Sequence, residues 1–369
     1  MYSDLIRERP GGASVSGRRR ILCLMETLNA HQPNACAYLR LLLPLTKPIV
    51  KEEFDITFGD IDNYQHIDAD IVITQRVVLK TLKRAERLVS YCARKGARLV
   101  YDLDDDLLSL AADHNEHSYY QQLRPLVTFL LRESHEVWVS TEDLARRLAP
   151  LSDKLAVLQN HLDPRVWQVR QPVPCEGPLR LLFMGTTTHQ SDFDTLLRPA
   201  LARVRDRVSR DIALTLIGVM PSHTVCEGWQ AIRPPDHVSV SYPAFANWLM
   251  DQGPYDIGLA PLADNQFNQS KSRLKFLEYS GLGLATVAST VGEYRESIVD
   301  GVNGRLGGNS AEAFEEALFS LVTNEDLRLE LAENASRLVA ESLAEAHRVE
   351  PRLERLRGLE VLAPPLAAQ

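Results

Sequence analysis

Short apolar runs alternate with helical stretches from Ile21 almost to the end of the chain, and this alternation constrains the fold more than any single motif. The spacing predicts strands at 21–25 (ILCLM), 54–58 (FDITF), 69–75, 97–103, 136–140 and 154–160. Between them it predicts helices ending near Pro44, over 77–95 with Gly96 as the stop, over 119–133, and over 142–148 with Thr141 as the cap. Such alternation builds parallel sheets covered by helices on both faces. The segment 161–178, HLDPRVWQVRQPVPCEGP, holds four prolines and no apolar period, so it reads as a linker. The pattern then restarts, with strands at 179–185, 212–218, 238–242, 255–260 and 284–288, and Leu- and Ala-rich helices from Ser310 to about Leu359. The expected fold class is α/β, with two Rossmann-like domains and the deepest cleft between them. The expected organisation is a loose arm at 1–20, a first domain at 21–160, the linker, a second domain at 179–340, and a C-terminal segment at 341–369.

The bulk composition narrows the function. The 369 residues suffice for two ordinary cores. A net charge of −8 and a pI near 5.7 exclude a nucleic-acid binder that relies on bulk charge. Five scattered cysteines without a C-x-x-C pair suit a reducing, cytoplasmic setting and no structural metal. No run reaches the ~18 apolar residues of a membrane span. Arg18, Arg19 and Arg20 allow at most a peripheral contact with an anionic inner membrane face, the simpler reading being a solvated run.

Polar chemistry gathers in the stretch from Tyr255 to Gly307. A buried strand there leads through a polar loop into a helix expected over 271–280, with Ser270 as its cap. At ~100° per residue, Lys271, Lys275 and Glu278 share one face, flanked by Leu274, Leu277, Phe276 and Tyr279. Two lysines and free N–H groups at a helix start suit a diphosphate. The alternative is a surface helix with a Lys275–Glu278 ion pair worth ~0.3–0.5 kcal/mol.

The order DIGLAPL, then N-x-x-K-S (Asn268 to Ser272), then LKFLEYSGLGLATVAS and VGEYRESIVDGVNGRL resembles the signature region of group 1, family 4-like retaining glycosyltransferases. These have the GT-B fold, and the likeness is to the bacterial branch acting in surface-polysaccharide assembly. The resemblance implies transfer of a sugar from a nucleotide-diphosphate sugar to a glycan or lipid-linked acceptor, with retention and without metal or cofactor. It implies that Glu278 binds the donor ribose and that Lys271, Ser272 and Lys275 hold the diphosphate. Lys271 is the leading catalytic candidate, because charge on the leaving group grows as the glycosidic bond breaks. The family's E-x7-E pattern has Ser270 where its first Glu would stand, leaving Asn268, Gln269 or Ser270 to read the sugar. The last helix would cross back to the N-terminal half.

Other segments fit the same expectation. GTTTHQSDFD (185–194) follows the first strand of the second half. Gly185, Thr186, Thr187 and His189 are donor-side candidates where the family usually has Arg and Lys. YDLDDDLL (101–108) places Asp102, Asp104, Asp105 and Asp106 together, and four carboxylates repel unless compensated. They read as a Mg²⁺ site, as a haloacid-dehalogenase-like phosphatase using Asp102 and Asp104, or as a loop accepting hydrogen bonds from substrate hydroxyls. The last is favoured, with Asp104 and Asp105 as catalytic candidates and Asp102 and Asp106 on the acceptor side. Asn29, His31 and Arg76 join that acceptor group, Arg76 as a partner for an anion or an acidic side chain. QNHLD (159–163) resembles the family's hinge. A nucleotide-sugar-binding protein without catalysis is the further alternative. No Walker motif, nucleophile elbow, zinc spacing or dinucleotide fingerprint occurs; GLG at 281–283 follows a helix instead of a strand.

Overall fold

The computed structural model describes residues 17–29, 32–112, 114–220, 225–226, 228–346 and 350–360. The chain divides into two compact units. The first runs to Asn160 and adds residues 240–243 and the C-terminal segment from 350; the second comprises 161–239 and 244–346. Each unit is an α/β layer structure with its own core, Rossmann-like in both cases.

In the first unit six parallel strands form one sheet: β1 (Arg19–Leu24), β2 (Phe54–Phe58), β3 (Ile71–Gln75), β4 (Arg98–Leu103), β5 (Glu136–Val139) and β6 (Leu155–Val157), in the order β2-β1-β3-β4-β5-β6. β3 and β5 are buried along their whole length, as strands covered on both faces must be. Helix α1 spans 35–45, and Asn34 Oδ1 caps it by accepting the Ala37 N–H at 2.8 Å. This helix runs through Pro44, which the sequence marks as its end. A π turn at Tyr38–Leu42, with the Leu43 N–H reaching back to Tyr38 O, widens the helix where the proline ring would otherwise clash. Helix α2 (Leu82–Lys95) starts later than the predicted residue 77; Thr81 caps it and Gly96 closes it at φ +67°. α3 (His117–Glu133) and α4 (Glu142–Leu148) complete the layers, with Thr141 capping α4 as expected.

The three N-terminal arginines do not form a free basic patch. Arg19 and Arg20 belong to β1. Arg18 donates to Lys51 O, Arg19 to Leu359 O, and Arg20 grips Asp70 with its backbone and guanidinium. No helix among the described residues is long and apolar enough to cross a membrane.

The second unit holds a seven-stranded sheet: β7 (Leu179–Met184), β8 (Ile212–Ile217), β9 (Val225–Cys226), β10 (Trp229–Ile232), β11 (Ile257–Ala260), β12 (Ala285–Ala288) and β13 (Arg305–Leu306), in the order β9-β10-β8-β7-β11-β12-β13. All neighbours run parallel except β9 and β10. Connections proceed outward in both directions from the β7/β11 boundary, so the order reverses there. In open α/β sheets ligands bind at the carboxyl ends of the strands flanking such a reversal. The covering helices are α5 (190–207), α6 (Tyr242–Asp251), α7 (Leu274–Gly281), α8 (Ala311–Thr323) and α9 (Glu325–Ala346). The helix α10 (Pro351–Gly358) is part of the first unit, where Lys47–Glu350 and Arg355–Glu136 ion pairs hold its segment, each at 2.7 Å.

Two predicted elements need correction. The stretch 238–242, whose V-S-V-S alternation imitates a strand, is helical at 236–239 and enters α6 at Tyr242. Pro235 precedes the first of these turns and Pro243 occupies the first turn of α6, positions that suit helix starts. The strands of this sheet that the sequence pattern does not announce are β9, β10 and β13. The segment 161–178 is no free linker, since Leu162, Val166 and Trp167 are buried in the second unit, with Trp167 packed on Gly281.

Candidate functional site

The carboxyl ends of β7 and β11 form the floor of a site within the second unit. Tyr279, buried on α7, inserts its hydroxyl between the two strands. It donates to Leu259 O at 2.9 Å and accepts the Met184 N–H at 3.1 Å. β7 and β11 pair directly only at Leu181 and Leu182, against Ile257 and Gly258, so the phenol takes over the ladder as the strands diverge. The ring lies on Gly258, where a Cβ would meet it at 2.4 Å. Glycine is required there for close approach.

β7 delivers Gly185 to His189. The His189 ring packs on Gly185, where a Cβ would come within 2.8 Å of Cδ2, and that contact turns the chain into α5. Thr186 and Thr188 exchange a hydroxyl hydrogen bond at 2.7 Å on the exposed side of the turn. His189 is buried. Its Nδ1 lies 3.0 Å from Asp192 Oδ2, and its Nε2 lies 3.0 Å from Lys275 Nζ. Burial and the Lys275 ammonium lower its pKa to about 4, so the ring is neutral at pH 7.

The loop after β11 forms the second wall. Asn268–Ser270 make a 3₁₀ turn, Lys271 is extended, and α7 begins only at Leu274. Ser270 therefore does not cap α7; it is fully buried inside the 3₁₀ turn. The one-face projection of Lys271, Lys275 and Glu278 consequently fails for Lys271, which precedes the helix. Its Nζ lies over the Phe267 ring, 4.4 Å from the centroid, a cation–π contact. Glu293 ties this loop down: its Oε2 accepts the Arg273 N–H at 2.9 Å, and its own N–H donates to Lys271 O at 3.2 Å. Gly292, at φ +59°, fits beneath the turn, where a Cβ would meet Asn268 O and Lys271 O at 2.9 Å. Asn268 Nδ2 donates to Ala263 O at 2.9 Å. Glu278 is buried, near enough to the buried Tyr294 phenol to add to the upward push that burial gives that group.

The structure thus gathers Gly185, Thr186, Thr187, His189, Asn268, Ser270, Lys271, Ser272, Lys275 and Glu278 on the β7 and β11–α7 segments of one unit. Two members were not legible beforehand. Asp192 is signalled only by its i+3 spacing from His189, and Glu293 only by its place after a glycine. Chemically, this wall presents ammonium groups around a neutral imidazole, an arrangement for an anion held in fixed geometry.

The aspartate cluster of the first unit behaves differently. Arg40, fully buried on α1, grips Asp102 through Nη2–Oδ1 at 2.7 Å and Nε–Oδ1 at 3.1 Å, while Gln75 donates to Oδ2 at 3.3 Å. Asp102 is itself fully buried, so it is not the acceptor-facing group expected, nor a phosphatase nucleophile. Arg76, at φ +43°, turns its guanidinium into three carboxylates: Asp104 at 2.5 Å, Glu26 at 3.2 Å and Asp105 at 3.3 Å. Burial acts to raise the Asp104 carboxyl, but Arg76, the Cys36 thiol and Arg40 together bring it below its ordinary value. Burial raises the Glu26 carboxyl despite Arg76. Asp106 pairs with Arg147 at 2.5 Å and accepts the Leu108 N–H at 3.2 Å. Arginines thus compensate the four aspartates, and no group of three His, Cys, Asp or Glu side chains among the described residues forms a metal-binding set. Asn29 ends a short strand, but its side chain and all of His31 lie outside the described residues.

Residues 178–324 match the family model for glycosyl transferases group 1. No curated protein sequence matches the chain. Among solved structures the chain is similar to Anabaena HepE in complex with UDP-glucose, at 12% identity and a TM-score of 0.63, covering 93% of this chain and 100% of that one. It is similar to sucrose-phosphate synthase from Thermosynechococcus elongatus (12% identity, TM-score 0.59, coverage 92% and 99%). A glycosyltransferase from Rickettsia africae gives 14% identity, a TM-score of 0.57 and coverage of 93% and 98%. At such identities the likeness establishes the fold, which is that of GT-B glycosyltransferases.

Proposed function

We propose that the protein transfers a sugar, with retention, from a nucleotide-diphosphate sugar to a glycan or lipid-linked acceptor in cell-surface polysaccharide synthesis. The observation that carries this reading is the seating of the Lys275 ammonium on neutral His189, beside Lys271, at the strand-order reversal of the second unit. Two ammonium groups there fit a diphosphate, and each charged hydrogen bond contributes ~1.5–3 kcal/mol. Glu278 accepts the ribose hydroxyls. The lysines meet growing charge as the diphosphate departs, so their contacts strengthen in the transition state. The solved complex of HepE with UDP-glucose and the group 1 match over 178–324 support a nucleotide-sugar donor. The reaction needs neither metal nor cofactor, the lysines replacing the cation. The protein works in the cytoplasm, and any contact with the membrane is peripheral. Asp104 and Asp105, held by Arg76, belong to the acceptor side with Arg76 and Asp106.

Thermal melting with nucleoside diphosphates and their sugars tests the donor, since a ligand that binds the folded state raises the midpoint. Lys271→Ala and Lys275→Ala are expected to abolish that shift and to cut turnover by ~100-fold or more, while the unliganded midpoint barely moves. Equal loss of stability and turnover would mean that the lysines only hold the loop. Full activity in a chelator is expected, and its loss would return a metal to the mechanism. Ser270, where the family's first Glu would stand, is the reason for a second reading. Nucleotide binding without sugar transfer or donor hydrolysis would establish a binding protein instead of an enzyme.

A further inference from the structure

Asp192 lies in the first turn of α5, three residues after His189, and is 5% exposed. Its oxygens serve separate donors. Oδ1 accepts the Ala263 N–H at 2.8 Å, and Oδ2 faces His189 Nδ1 at 3.0 Å. On the far side of the ring, Nε2 faces Lys275 Nζ at 3.0 Å. An ammonium has only hydrogens to give, so Nε2 must accept and the imidazole proton must reside on Nδ1, pointing at Asp192. The charged groups acting on the ring are Lys275 at Nε2, Asp192 at Nδ1 and Lys271.

We infer that Asp192 is a positioning residue for Lys275, holding the His189 proton on Nδ1 so that Nε2 stays open as a seat for the ammonium. The inference rests on the reading of Lys275 as a diphosphate ligand. A lysine stem is long and flexible, and fixing it on binding costs affinity. Seated on Nε2, the ammonium is held in one place before any ligand arrives. The same carboxylate fixes Ala263, at the start of the loop that carries Lys271, so one side chain sets the register of both walls.

An asparagine at 192 has the same shape but only one oxygen for two N–H donors. If its amide nitrogen turns to the ring, the proton moves to Nε2 and opposes Lys275. If it turns to Ala263, the loop loses its anchor. The 369-residue chain and its Asp192→Asn, His189→Gln and double variants would be titrated calorimetrically with UDP, GDP, ADP and CDP. Nitrogen NMR of the His189 ring would report the tautomer of the first two proteins. A glutamine at 189 accepts from Lys275 with no tautomer to hold. Asp192→Asn is expected to weaken the best-binding diphosphate roughly tenfold, about one charge-assisted hydrogen bond. In the His189→Gln background the same change is expected to cost less than about twofold, and the wild-type ring to carry its proton on Nδ1. Diphosphate binding by Asp192→Asn within twofold of wild type overturns the inference, as does equal loss in the His189→Gln background or a wild-type proton on Nε2. Binding of no diphosphate by the wild type would instead remove the donor reading and this role with it.

Discussion

The buried charges of the first unit show how one residue decides the meaning of a motif. Four neighbouring aspartates look like a ligand site until Arg40 is found inside the apolar run LRLLL of α1. With Asp102 sealed from water, removing its partner strands a buried carboxylate. Arg40→Leu is therefore expected to cost about 3–5 kcal/mol in urea unfolding, whereas joint replacement of Arg40 and Asp102 by apolar residues costs much less. The clue was present in the sequence, since a lone arginine among leucines requires a buried counter-charge. It names no partner, because pairing over 62 residues belongs to the tertiary fold. His189 makes a related point about pH. Its pKa is depressed to about 4 in the folded chain, below the ordinary 6.5, so the unfolded chain binds the extra proton between those values. The stability tied to its neutral form is complete above about pH 6.5 and declines as the pH falls toward 4. The expected loss is on the order of 3 kcal/mol, and His189→Gln should flatten that part of the curve.

At the scale of elements, strand existence was legible and boundaries were less so. β2, β4 and α4 follow the predicted limits closely, because their apolar periods are bounded by turn and cap residues. The helix after β11 starts three residues later than predicted, since the loop uses Glu293, twenty residues on, to anchor it. Local capping rules cannot see a partner that distant. The helix at 236–239 was lost to a period-2 pattern that its flanking prolines overrule. Tyr279 gives this scale its test. Gly258→Ala would drive a methyl into the phenol and is expected to destabilise the second unit by about 1–3 kcal/mol. Tyr279→Phe removes two hydrogen bonds, to Leu259 O and from the Met184 N–H, and is expected to cost about 1–3 kcal/mol in the same unfolding assay.

For the whole molecule, the alternation of strands and helices sufficed to read two α/β units, but the chain visits them out of order. Residues 240–243 and α10 belong to the first unit, although the former interrupt the second unit and the latter follows all of it. No periodicity reports such an exchange. Removing the chain from residue 350 onward takes away the buried Leu353 and Leu356 and the pairs to Lys47 and Glu136. That truncation is expected to destabilise the first unit by about 3–5 kcal/mol and to leave nucleotide binding by the second intact. Calorimetry with and without a nucleoside diphosphate would separate the two effects.

The neutrality of His189 has a last consequence, for the speed of encounter. In the site wall Lys271, Arg273 and Lys275 stand against Asp192, Asp264, Glu278 and Glu293, so with an uncharged imidazole this balance leaves no excess of positive charge, in a chain whose net charge is −8. Such a surface exerts no long-range pull on an anionic nucleotide. Association should then proceed without electrostatic steering, its rate constant changing little with ionic strength between about 0.02 and 0.3 M. Stopped-flow measurement across that range would read this directly, and a steep fall with added salt would reveal a field that this balance of charges does not supply.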